Sequence, residues 1–278
     1  MYRTLIILLS VFLLASCQKD SYVDAPATLI YTIVPDVTFE VKSAAASTSV
    51  NTLWYGVYHK KNDGTYVYVN DMSDFVEITD PSNIEVPITL INDQEYKLVF
   101  VAQHRFQSQQ RTDSYAYTVQ SESGMMSVNT SAPFTSGDQL EAFAFVDEVG
   151  PVTGNENRKI TLDRIVSQVN VGTSAPTLPA SLKVKVSGIP ASYDIFNMTF
   201  SEESTQLAFD NIAVEGEVMN VSGKDYTRLT TLYFLGSNKI NLTLTNAADE
   251  ERYITINDID TQVNYKTNIA GNIDIANN

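Results

Sequence analysis

The chain has 278 residues, 44% hydrophobic and 10% aromatic, enough apolar material for packed cores and, by length, for two domains of roughly 130 residues. Acidic residues outnumber basic ones 33 to 18, giving a formal charge of −15. This excess excludes a nucleic-acid partner, because phosphates need Lys and Arg to neutralise them. It also excludes docking on anionic lipid through a basic patch, and it suits a solvated acidic surface.

The first element is a leader. Arg3 gives a positive start, and Leu5 to Leu14 is an apolar run broken only by Ser10. That run has the length of a signal-peptide core and is too short for a membrane-spanning helix. Ala15, Ser16 and Cys17 follow, and Cys17 is the only cysteine, so a disulfide within the chain is excluded. Leu14-Ala15-Ser16-Cys17 resembles the lipobox of bacterial lipoproteins. The resemblance implies that residues 1–16 are removed as a signal peptide and that Cys17 is acylated. Its partner would then be outer-membrane lipid. Each buried lipid CH2 contributes about 0.8 kcal/mol, so two or three chains hold where one does not. Gln18-Lys19-Asp20 is similar to the export signal of Bacteroidota lipoproteins, which implies a lipid-anchored address at the outer membrane, exposed at the cell surface. Residues 17–25 then read as a lipidated tether.

From there the chain reads as strand after strand. Ala27 to Val34 is a strand candidate, and Val37 to Val41 leads to Lys42. Leu53 to Tyr58 and Tyr66 to Val69 flank Asn62-Asp63-Gly64, and an Asp-Gly pair between apolar runs marks a hairpin. Both faces of Leu53 to Tyr58 are apolar. Trp54 shares a face with Gly56 and Tyr58, opposite Leu53, Tyr55 and Val57. The pattern leaves two assignments open: a core tryptophan, or a stacking platform for a glycan. Tyr96 to Ala102 is a further strand, and Ser136 to Leu140 has room for a short helix. The polar Gly/Pro run between Asp147 and Asn157 suggests a boundary, giving an N-terminal domain over 26–152 and a C-terminal domain over 153–278. In the second half, Leu182, Val184 and Val186 alternate with Lys183, Lys185 and Ser187. Ile240, Leu242 and Leu244 alternate with Asn241, Thr243 and Thr245. Period-two alternation places one face of each in a core. The expected fold is all-β, with two tandem antiparallel β-sandwich domains.

Two later stretches carry a family resemblance. Arg158 to Val171, with Leu162-Asp163-Arg164-Ile165-Val166-Ser167-Gln168-Val169 within it, resembles the segment whose strand opens the second domain of Bacteroidales fimbrillin-like proteins. Asn264-Tyr265-Lys266-Thr267-Asn268-Ile269-Ala270-Gly271-Asn272-Ile273 is similar to their closing strand, with Lys266 where the family has Arg. The resemblance implies transthyretin-like sandwiches and a surface lipoprotein with a structural or adhesive role: fimbrial subunit, anchor or adhesin. It also implies partners met by strand exchange with other fimbrial subunits, or surface ligands on host or bacterial cells. In some members a protease cuts after a basic residue and removes the first strand. Lys42 is the candidate for that cut here. A glycan-binding surface lipoprotein of a glycan-uptake system, stacking sugar on Trp54, is the alternative.

An enzyme needs a constellation, and the parts are few. No Gly-x-Ser-x-Gly or His-Glu-x-x-His occurs, and the histidines number two, His59 and His104. Adjacent carboxylates such as Glu202-Glu203 point to opposite sides of a strand, which suits no glycosidase pair. On a strand Asp258 and Asp260 would share a face, but the EF-hand pattern is missing. The expectation is a non-enzymatic protein without catalytic residues, metal or cofactor.

Overall fold

The computed structural model describes residues 26–36, 49–106 and 114–276. Cys17 and Lys42 lie outside these residues. The architecture is all-β, as the alternation predicts.

The first sheet begins with β1 (Pro26–Pro35), β2 (Thr52–Lys60), β3 (Tyr66–Tyr68), β4 (Asp74–Glu77), β5 (Ile84–Ile91) and β6 (Tyr96–Gln103). A small ladder, β7 (Arg105–Phe106) with β8 (Ser114–Tyr115), precedes β9 (Tyr117–Gln120) and β10 (Met125–Val128). A short 3-10 turn at Gly137–Leu140 stands where the sequence leaves room for a short helix. The chain then returns to the first sheet through β11 (Phe143–Val149) and β12 (Glu156–Arg164). Its order is β3-β2-β6-β11-β12-β1-β5, with β4 also on β2. Neighbours are antiparallel except β1 and β12, which run parallel.

This sheet folds over itself. Leu29 and Ile33 of β1 and Val86 and Ile88 of β5 share one core with Leu53 and Val57 of β2 and Leu98 and Phe100 of β6. The Tyr31 and Phe100 rings meet across it, with centroids 5.0 Å apart. The Asp63-Gly64 turn links β2 and β3 as expected, and Gly64 has φ +84°, a left-handed conformation that glycine adopts without strain.

The second half contributes β13 (Val166–Thr173), β14 (Ser181–Pro190), β15 (Ser192–Asp194), β16 (Thr199–Phe200), β17 (Ser204–Ala213), β18 (Val218–Val221), β19 (Lys224–Leu235), β20 (Lys239–Asn246), β21 (Asp249–Asp260) and β22 (Lys266–Gly271). Two four-stranded sheets, β18-β19-β13-β22 and β17-β14-β20-β21, face each other. The alternating residues Leu182, Val184, Val186, Ile240, Leu242 and Leu244 point into their common core. A third four-stranded sheet, β16-β15-β10-β9, takes strands from both halves of the chain. One core cluster therefore continues from Val101 and Tyr117 to Val186 and Leu232.

The Gly/Pro run lies inside the first sheet. Residues 150–155 join β11 to β12 inside the first sheet, and β12 pairs with β1 through Leu29↔Glu156 to Pro35↔Leu162. Gly and Pro interrupt strand pairing equally well in a hairpin loop and in a linker, so they mark the turn here. The chain leaves the first sheet for the last time at Ile165, between β12 and β13.

Candidate functional site

Three features stand out: the first strand, the junction at Arg164, and a cavity beside Trp54.

β1 is an internal strand. It runs parallel to β12 over seven register pairs and antiparallel to β5 over eight. Alternation drives Ala27, Leu29, Tyr31 and Ile33 inward, each at 2% exposure or less. Burying each of the three larger side chains stabilises the fold by about 1.5–3 kcal/mol. A polar lock adds to this packing. The Tyr31 hydroxyl donates to Asp147 Oδ2 at 2.7 Å, and Arg158 Nη1 donates to the same oxygen at 2.7 Å. One carboxylate from β11 thus ties β1 to β12. Burial, and next the Asp147 carboxylate, push the Tyr31 hydroxyl far above the usual tyrosine range.

The arginine of the Leu-x-Arg motif proves to be a junction residue. Arg164 closes β12 with its side chain fully buried and pairs with Glu141, itself 1% exposed. Its guanidinium lies over the Phe143 ring, 4.7 Å from the centroid, and 5.8 Å from that of Tyr233 on β19. Glu141 also accepts from the Ser49 amide at 3.1 Å. Sequence reasoning marked Arg164 only as part of a motif. Its paired partner lies 23 residues away and has no local signature.

The closing motif forms β22, parallel to β13 in the chain's own sheet. Gln168 Nε2 donates to Asn170 Oδ1 at 2.7 Å, and Asn170 Nδ2 donates to Asn268 Oδ1 at 2.8 Å. An amide ladder of this kind fixes the register of two polar strand faces.

Trp54 is 3% exposed. Its indole lies back over Gly56, where a Cβ would stand 2.5 Å from Cη2, so only glycine leaves room for the ring. It forms no flat exposed platform. Instead it lines a cavity of about 650 Å³, with Tyr68, Phe75, Tyr115 and Tyr117 as the other aromatic walls. Phe75 sits directly opposite Trp54 in the β2–β4 ladder and is 43% exposed at the rim. Its ring stacks on Tyr115, with centroids 4.9 Å apart and planes at 21°. Gln103, 1% exposed, accepts from the Tyr117 amide through Oε1 at 2.8 Å. Asn129 is fixed by donating to the Tyr115 carbonyl at 3.0 Å and accepting from the Ser131 amide at 3.1 Å.

The remaining candidates are dispersed. His59 Nε2 meets Gln94 Oε1 at 2.8 Å, and His104 Nδ1 meets the Ser49 carbonyl at 2.9 Å. Asp258 does not continue a regular strand: its φ is +55°, beside a register shift in the β20–β21 ladder. Among the described residues, no three His, Cys, Asp or Glu side chains cluster as metal ligands would. Among them, too, no helix is long and apolar enough to cross a membrane.

No protein-family model matches the chain, and a search of curated proteins finds no match. Solved structures do match. A Bacteroides thetaiotaomicron structure, provisionally described as polysaccharide binding, aligns with TM-score 0.50 and 16% identity over 83% of this chain and 80% of that one. At that identity the likeness is one of fold. The fimbrial anchor protein Mfa2 from Porphyromonas gingivalis aligns with TM-score 0.44 and 17% identity, over 84% and 82%. A fimbrial assembly protein from Parabacteroides distasonis aligns with TM-score 0.40 and 14% identity, over 89% and 90%.

Proposed function

We propose that this protein is a cell-surface lipoprotein with a structural and adhesive role in fimbriae, held in the outer membrane through acylated Cys17. The observation that carries the reading is the placement of β1. Residues 18–25 separate Cys17 from Pro26, a span of at most roughly 30 Å of extended chain. The strand they lead into is internal, paired on both sides and locked by Tyr31, Asp147 and Arg158. A load on the adhesive body would therefore pass to the lipid through two backbone ladders. The lipobox and the two fimbrillin-like motifs supply the functional class.

Retention or removal of β1 separates two roles. With β1 in place the fold stays joined to its lipid, as an anchor requires. A cut after Lys42 would free β1 and leave a groove between β12 and β5. A strand of another subunit would fill that groove by backbone pairing, with its alternate side chains in the pockets of Leu29, Tyr31 and Ile33.

Labelling cells with an acyl precursor tests the anchor. The protein should carry the label and fractionate with the outer membrane, and Cys17→Ala should lose both. A Cys17→Ala protein that keeps label and membrane attachment contradicts the proposal.

A further inference from the structure

The cavity beside Trp54 has a composition that neither the fold nor the anchor requires. At about 650 Å³ it falls within the roughly 300–1,000 Å³ of small-molecule sites. Its walls combine aromatic faces with neutral polar groups. Phe75 and Tyr115 provide the faces with Trp54 buried behind them, and Gln103, Asn70 and Asn129 provide amides.

The lining discriminates among ligand classes. Among the described residues that line it there is no Lys, Arg or His, so a phosphate, sulfate or carboxylate would meet no countercharge from them. The charged group among these described residues is Asp74, whose Oδ1 accepts from the Phe75 amide at 2.7 Å. An apolar ligand would strip water from that carboxylate without replacing its hydrogen bonds, an unfavourable exchange. Gln103 is 1% exposed, and its Nε2 donates to no described residue while Oε1 is held by the Tyr117 amide. It is a donor on the cavity wall that a ligand oxygen can meet.

A pyranose ring meets both demands. Its C–H face lies against an aromatic ring and its hydroxyls both donate and accept. We infer that this cavity binds a neutral carbohydrate, stacked on the aromatic walls and hydrogen-bonded through Gln103 and Asp74. The site is built before binding: Gly56 seats the indole, the Phe75 and Tyr115 rings brace each other, and Asn129 holds the opposite wall. The inference is independent of the lipid anchor, so each can fail alone.

Trp54 is the only tryptophan of the chain, so its fluorescence reports on the cavity directly. The experiment uses the full lipoprotein in detergent. It is applied to an array of neutral, sialylated and sulfated glycans, and neutral binders are then titrated against Trp54 emission. Retention of neutral glycans with a saturable emission change is the expected result. Phe75→Ala, at the exposed rim, should weaken that binding by about tenfold and lower thermal unfolding only slightly, through the lost Tyr115 contact. Three results would overturn the inference: no neutral glycan retained, a preference confined to anionic glycans, or Phe75→Ala binding as tightly as the parent.

Discussion

The two faces of β2 and β6 differ, although both are apolar. Leu53, Val57, Leu98 and Phe100 point into the core closed by β1 and β5, each at 0% exposure. Trp54, Tyr58, Val99 and Val101 point the other way, beneath a cover built from the 114–144 region and from β15 and its flanking residues. The first face is closed by long ladders that exclude water. The second is covered by short strands and loops, and it keeps the aromatic cavity. Regular pairing yields a dry core, whereas irregular cover leaves room for a ligand. Residues adjacent in sequence, Leu53 and Trp54, thereby take opposite parts.

Substitutions can break this contrast. The closed face should tolerate change least. Phe100→Ala, which removes a fully buried ring packed against Tyr31, should cost about 3–5 kcal/mol in denaturant unfolding. A loss under 1 kcal/mol would mean that this face is not closed. Arg164→Ala acts at the seam between the faces and leaves Glu141 charged and buried, so about 3–5 kcal/mol is again expected. Calorimetry should then show unfolding split between the halves if Arg164 couples them. Gly56→Ala acts on the cavity face, where it must push the indole off the strand, for about 1–3 kcal/mol and a changed Trp54 emission.

The smallest effect is in the alkaline limb. Burial pushes Tyr31, Tyr58, Tyr117 and Tyr233 above the ordinary tyrosine value, and Tyr193 up to about 12. Below about pH 10 these hydroxyls stay protonated in both folded and unfolded chains, and their contribution is fully present. As pH rises through the folded values, the unfolded state releases protons first and stability falls. Tyrosinate absorbance should therefore appear for these residues together with unfolding. Free titration near pH 10 would contradict their burial.

Much of the fold was legible. The alternation in 182–186 and 240–244 named inward residues, and Asp63-Gly64 named a turn. Leu53 to Tyr58 looked ambiguous for a physical reason: both of its faces are buried, so period-two contrast disappears. The cavity was not legible because its walls come from residues 54, 75, 103, 115 and 117, joined only by tertiary pairing. The local clue was Gly56 between Trp54 and Tyr58, which signals a ring lying on the backbone.

The most direct test of the account is exposure of the protein on intact cells. Antibody against the folded protein should label intact cells as strongly as permeabilised ones, with the signal lost from the membrane in Cys17→Ala cells. Labelling that appears only after permeabilisation would place the protein inside the envelope and contradict a surface adhesive role.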